Sequence, residues 1–141
     1  MRIFIDTNVL FSAILFRSGA PHLAYSKAVS HPNCGIVCER NIEELKNIFK
    51  RKAPHKVDSL DRFLALALPA LEIAPVPNEA SPLENAIRDV KDRVIFRAAL
   101  HAKADVFLTG DKDFTESGIE TPRILTPTEF LTLNERAIDW Q

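Results

Sequence analysis

The chain predicts an α/β domain of three layers, α/β/α, around a central, mainly parallel sheet of Rossmann-like kind. Short apolar runs such as Ile3-Phe4-Ile5, Gly35-Ile36-Val37-Cys38 and Val106-Phe107-Leu108 have the length of buried strands. The stretches between them space their apolar residues as helices do. Strands thus alternate with helices, the pattern of βαβ units on a parallel sheet. The 141 residues suit one domain, and a 46% hydrophobic share suffices for its core.

Taken in order, residues 2–5 read as a first buried strand that ends at Asp6. Residues 8–16 read as a helix stopped by Ser18-Gly19-Ala20-Pro21, and 22–30 as a second helix. A strand over 35–38 leads into a helix over 39–52, broken before Pro54, and a further helix follows over 57–70. Residues 72–76 form a candidate strand that Pro75 confines to an edge, followed by a loop over 77–82. The pattern over 92–103 is strongly helical. Residues 105–109 are a strand ending at Gly110-Asp111, and 123–125 a last strand. Thr126, Pro127 and Glu129 have the spacing of a capping box that opens a short helix. The expected domain is 1–134 with a tail over 135–141, in which Trp140 is a candidate packing or interface anchor.

Composition excludes several classes. No stretch approaches the ~18 consecutive apolar residues of a membrane span. An acid follows only three apolar residues at the N-terminus, unlike a signal peptide, so a cytoplasmic protein is expected. The spacing of Cys34 and Cys38 is not a redox motif, and His22, His31, His55 and His101 are too scattered to complete a zinc set. Both cysteines read as small reduced hydrophobes. A net charge of −1 argues against a tight, non-catalytic nucleic-acid binder.

The chemistry lies in the carboxylates. Asp6 and Asp111 each follow a buried strand, and ligands of open parallel sheets bind outside the carboxyl ends of strands. A lone Asp in such a place is often only a cap or a turn former. Two on matched strand ends favour a site. Taking ~100° per residue, Ile42, Leu45, Ile48 and Phe49 form one helical face, with Glu44 at its edge and Glu43 nearly opposite. Glu44 is therefore the candidate to face a cleft. Asp92 opens its helix on the side of Ile95 and Ala99, with N-capping as the plain alternative, and Asp89 lies a turn earlier. Asp113 is placed to reach the same site as Asp111. Four or five carboxylates on one edge repel one another unless a cation sits among them. Oxygen ligands without His or Cys suit Mg²⁺ or Mn²⁺, the ions of in-line phosphodiester hydrolysis.

The stretches Ile5-Asp6-Thr7-Asn8-Val9-Leu10, Glu43-Glu44-Leu45, Asp89-Val90-Lys91-Asp92 and Leu108-Thr109-Gly110-Asp111-Lys112-Asp113-Phe114 resemble the acidic motifs of PIN domains in order and spacing. The resemblance spans nearly the whole chain. It is strongest to the single-domain prokaryotic branch of toxins from toxin–antitoxin pairs, similar to VapC-type toxins. It implies a metal-dependent endoribonuclease with Asp6, Glu44, Asp92 and Asp111 as acidic quartet, Asp113 as an additional ligand, and Mg²⁺ or Mn²⁺ as cofactor. RNA is then the substrate, an antitoxin protein and a second copy in a homodimer the partners.

Other polar residues carry smaller expectations. Thr7 and Asn8 can orient Asp6 or simply cap the following helix. Thr109 can bond a carboxylate or serve only as a β-branched strand residue. Lys46, Lys50, Arg51, Lys52, His55 and Lys56 form a basic strip that either guides an RNA backbone or is a solvated helix face. The alternative function is a catalytically silent module of the same fold, acting through protein or RNA binding. A phosphatase would need Asp rather than Asn8 two residues after Asp6, and a receiver domain would need a lone phospho-acceptor Asp and a late Lys.

Overall fold

Five strands form one sheet in the order β3-β2-β1-β4-β5, and every pairing is parallel. The strands are β1 (Arg2–Ile5), β2 (Cys34–Cys38), β3 (Glu72–Ala74), β4 (Val106–Leu108) and β5 (Arg123–Leu125). The helices are α1 (Thr7–Leu15), α2 (Ala20–Val29), α3 (Glu39–Lys52), α4 (Val57–Ala67), α5 (Val90–His101), α6 (Lys112–Thr115) and α7 (Pro127–Leu131). This computed structural model describes residues 1–133, so Trp140 and the expected tail lie outside the described residues.

Strand alternation builds the two faces. Ile3, Ile5, Val37, Val106 and Leu108 point into one core with Val9, Leu10 and Ala13 of α1, Ala24 and Ala28 of α2, Leu45 and Phe49 of α3, Leu60 of α4 and Phe130 of α7. Phe4, Ile36, Cys38 and Phe107 point into the other, covered by Ile95, Phe96, Ala98 and Ala99 of α5 and Phe114 of α6. Helices thus cover both faces, the condition under which a wholly parallel sheet is stable. The expected three-layer α/β/α architecture is the observed one.

Most boundaries shift by a residue or two, for local reasons. α2 starts at Ala20 because Pro21 fits a first helical turn. α4 ends at Ala67, and Leu68–Ala70 tightens into a 3-10 turn at Pro69, which has no N–H for the ladder. β3 stops at Ala74, before Pro75, and lies at the sheet edge. α5 ends at His101, and Lys103 takes the left-handed conformation (φ 56°) that terminates helices. Three elements have no counterpart in the sequence reading: the 3-10 segments Pro54–Lys56 and Pro82–Ala86, and α6, all too short to carry a periodicity. The capping box at Thr126 forms as its spacing predicts.

Phe107 is the hub of the second core. Its ring stacks on Phe4 at 5.4 Å and meets Phe96 at 5.5 Å and Phe114 at 4.5 Å, and all four side chains are fully buried. Phe107→Ala is expected to destabilise the chain by about 3–5 kcal/mol. The check is a lower denaturant midpoint at an unchanged slope. A loss of less than ~1 kcal/mol would contradict the hub assignment.

Candidate metal centre

The strand order reverses between β1 and β4, since the chain winds outward from β1 on one side and from β4 on the other. Such a switch point opens a crevice at the carboxyl ends of the two strands. Ile5 pairs with Leu108, and the Asp6 N–H continues the ladder to the Leu108 carbonyl at 2.9 Å. Asp6 and Thr109 therefore leave adjacent central strands side by side.

Asp6 is buried, and its oxygens are well supplied with donors. Oδ1 accepts from the Thr7 N–H at 2.9 Å, while Oδ2 accepts from Thr109 Oγ1 at 2.7 Å and Asn8 Nδ2 at 3.0 Å. Burial is the main reason its pKa rises to about 6. The Thr109 and Thr7 bonds oppose the rise, and the charges of Glu44 and Asp111 add to it. Asp6 also N-caps α1, so capping and membership of the cluster coexist in one residue. Asn8 ties the crevice together, because its Oδ1 accepts from the Gly110 N–H at 3.1 Å. Thr109 Oγ1 accepts from the Asp111 N–H at 3.0 Å, and Asp111 caps α6 through the Asp113 N–H at 2.9 Å.

Two helices bring further acids. Glu44 is half-buried, with Oε2 accepting from Thr7 Oγ1 at 3.2 Å, while Glu43 is exposed. On α5 the capping role falls to Asp89, which accepts from the Lys91 N–H at 2.9 Å. Asp92, in the first turn, is half-buried. Its pKa rises to about 7, first through burial and then through the charges of Asp6, Asp89, Asp111 and Glu44. Among the described residues, Asp89, Asp92 and Asp113 bring carboxylate oxygens within 4.8 Å of one another. This tightest trio differs from the quartet expected from sequence and shares only Asp92 with it. Asp113 also bonds the Arg88 guanidinium at 3.0 Å, and Arg88 reaches Glu116 at 3.4 Å.

The fold thus gathers Asp6, Glu44, Asp92, Asp111 and Asp113, with Thr7, Asn8 and Thr109 bonding among them. A cluster of oxygen donors, with Asp92 surrounded by like charge and held by none of the bonds that secure Asp6, fits a hard divalent cation. The basic strip lies only partly along a groove beside the acids. An open groove of about 450 Å³ beside Glu44 is lined by Arg51, together with Arg40 and Lys91. Lys46, Lys50 and Lys52 are exposed outside that lining, as are His55 and Lys56 in the turn after α3. Lys50, Arg51 and Lys52 fill the last turn of α3, where cations suit the helix dipole. A second groove of about 600 Å³ lies on the side of Asn8, Gly110 and Asp111. Sequence reasoning missed Arg40, Asn41, Arg88 and Lys91. The spacing of Asn41 from Cys38, a helix N-cap and its third residue, was the one available signal among them.

A family model described as PIN domain matches residues 2–113. No curated protein matches the chain. Among solved structures, a chain from the crystal structure of VapBC2 from Rickettsia felis bound to a DNA fragment from their promoter is similar, with a TM-score of 0.66 and 17% identity. The match covers 89% of this chain and 98% of that chain.

The raised carboxyls make stability depend on pH. Asp6 and Asp92 bind a proton more readily in the folded chain than in the unfolded one, where each titrates near 3.8. Proton binding therefore favours the fold. The contribution is complete below about pH 4 and is lost as pH rises through about 6 and about 7. Without metal, the chain is expected to melt at progressively lower temperature from pH 4 to pH 8. Asp92→Asn should raise the metal-free melting temperature at pH 8 and leave it unchanged at pH 4. Destabilisation by that substitution at pH 8 would mean that Asp92 is held by favourable contacts rather than by repulsion.

Proposed function

We propose that this chain, which belongs to the PIN domain family, is an endoribonuclease that uses Mg²⁺ or Mn²⁺ to hydrolyse RNA phosphodiester bonds. One observation carries the reading. At the switch point of a parallel sheet, buried Asp6 and half-buried Asp92 have raised pKa values, and the charges of Glu44 and Asp111 contribute to both rises. Asp6, Glu44, Asp92 and Asp111 would hold the metal, with Asp113 available once Arg88 releases it. When bound, the ion supplies positive charge for the phosphodiester oxygens and acidifies water.

The chain's own residues do the rest. Thr109, Asn8 and Thr7 keep Asp6 ionised and oriented by donating three hydrogen bonds to it. Glu44 borders both the acidic centre and the groove of Arg40, Arg51 and Lys91, so a phosphate backbone lying along these cations passes the carboxylates. The opposite groove, with Asn8, Ser12 and Thr128 in its walls, receives the strand beyond the centre. A homodimer and an antitoxin that covers the acidic crevice with a basic side chain belong to the same reading. The likeness to a VapBC2 chain supports such a partner at the level of the fold.

Purified protein with Mg²⁺ or Mn²⁺ is expected to cleave single-stranded RNA, and EDTA to stop it. Glu44→Gln should lower the rate by more than the roughly 10–100-fold typical of losing an outer hydrogen-bond partner, while the exposed Glu43→Gln stays near wild type. Equal losses would place the wrong glutamate in the site. A protein that binds metal yet leaves a panel of RNAs intact would be the silent module instead.

The grooves separate the cations into two groups. Arg51→Ala and Lys91→Ala should each weaken RNA binding and lower the salt slope by about 1. Lys46→Ala and Lys52→Ala should do neither. If all four act alike, the strip binds as a diffuse surface and the groove has no special part.

A further inference from the structure

Asn41 is fully buried in the first turn of α3, and its role rests on the direction of four hydrogen bonds. The Cys38 N–H can only donate, and it bonds Asn41 Oδ1 at 2.9 Å. The Cys38 thiol donates to the same oxygen at 3.2 Å. The amide is thereby oriented, and Nδ2 donates to Thr7 Oγ1 at 3.0 Å. A hydroxyl has one proton. With Asn41 donating to the Thr7 oxygen, the Thr7 proton is directed to Glu44 Oε2 at 3.2 Å. All donors point one way: Cys38 to Asn41, Asn41 to Thr7, Thr7 to Glu44. The main-chain N–H of Thr7 meanwhile holds Asp6 Oδ1 at 2.9 Å, so one residue sets two of the acids relative to each other. Glu44 Oε1 has no hydrogen-bond partner among the described residues.

We propose that Asn41 is a positioning residue of the acidic centre: acting through Thr7, it presents Glu44 with Oε2 held and Oε1 free, and so raises the affinity of the centre for a divalent cation. A purely structural Asn41 would cap α3 and no more. The inference rests on the metal-centre reading above, and the test separates the two. Neither Asn41 nor Thr7 donates a side-chain oxygen to the cation in this scheme, so both act on a site whose carboxylates stay in place.

The experiment titrates Mn²⁺ into the folded chain by calorimetry. Thr7→Val keeps the shape of the side chain and removes the hydroxyl. Asn41→Ser keeps a short acceptor for the Cys38 N–H but has no donor that reaches Thr7, and Asn41→Leu removes both. Loss of an outer hydrogen-bond partner typically weakens metal binding about 10–100-fold, and that is the effect expected of Thr7→Val and of each Asn41 variant. The double variant Thr7→Val with Asn41→Ser should bind no more weakly than Thr7→Val alone, because the two residues act in series. In a Glu44→Gln background neither should matter. The inference is overturned alone if wild type binds Mn²⁺ and folded Asn41→Ser binds it equally well, or if the Thr7 and Asn41 effects add. A wild type that binds no Mn²⁺ overturns the metal-centre reading, and this inference with it. Should Asn41→Leu fail to fold, Asn41→Ser and Thr7→Val still decide the outcome.

Discussion

The parallel pairing of β1 with β4 is the constraint on which the rest of the site depends. It sets Ile5 beside Leu108 in the ladder, so the next residue on each strand emerges at the same edge. Those residues are Asp6 and Thr109, and their side chains meet at 2.7 Å. Two neighbouring parallel strands cannot be joined by a tight turn; each must be followed by its own crossover. The helices α1 and α6 therefore both start at this edge, capped by Asp6 and Asp111. The opposite ends of β1 and β4 have no such crossover start, because a helix N-terminus follows only the carboxyl ends.

The acids at this edge are accommodated in two different ways. Asp6 is the more buried, yet three protein donors reach its oxygens, and two of them visibly oppose its rise in pKa. Asp92 sits in the first turn of α5, where a helix N-terminus favours negative charge. That advantage is outweighed by burial and by four neighbouring carboxylates, and its pKa rises further than that of Asp6. The protein thus supplies donors for one acid and surrounds the other mainly with like charge. Arg88 shows the same deficit from the side. It pairs with Asp113 and Glu116, the acids at the rim, while Asp6, Glu44 and Asp92 have no ion pair among the described residues.

Sequence exposes features whose cause is local. The apolar runs of β1, β2 and β4, the apolar face of α3 and the capping box at Thr126 read correctly because each is decided within a few residues. The phase of α3 separates half-buried Glu44 from exposed Glu43, since the helix axis and the core direction fix both at once. Asn41 shares that helix and stayed invisible. Its spacing from Cys38 signals a cap, but the donor it sends to Thr7 exists only because α1 packs on α3. Arg40 and Lys91 were missed for the same reason. They lie on different helices and line one groove only after the sheet has brought α3 and α5 together. The run from Lys50 to Lys52 stood out for its density, and density reports on the end of α3 rather than on the groove.

The two halves of the acidic centre also differ in how their positions are secured. Asp6 and Thr109 are fixed by the sheet itself. Asp92 and Asp89 hang at the start of α5, after the segment 75–89, which adds no strand. That segment is pinned from within. Arg97, two turns along α5, bonds Glu84 at 2.8 and 3.0 Å and the Pro77 carbonyl at 3.1 Å, while Arg93 bonds the Ile87 carbonyl at 2.8 Å. Glu84 is buried, and its bond to Arg97 holds its carboxyl below the ordinary range, as a pair settled in the charged state requires. The helix that carries Asp92 thus anchors its own approach, and Ile87, whose carbonyl Arg93 holds, plugs the second core. This places the start of α5 without a strand to hold it, and it engages both arginines with the loop. Arg93 and Arg97 are thus committed to building the loop, and among the described residues no ion pair opposes the carboxylate neighbours of Asp92 at Asp92 itself.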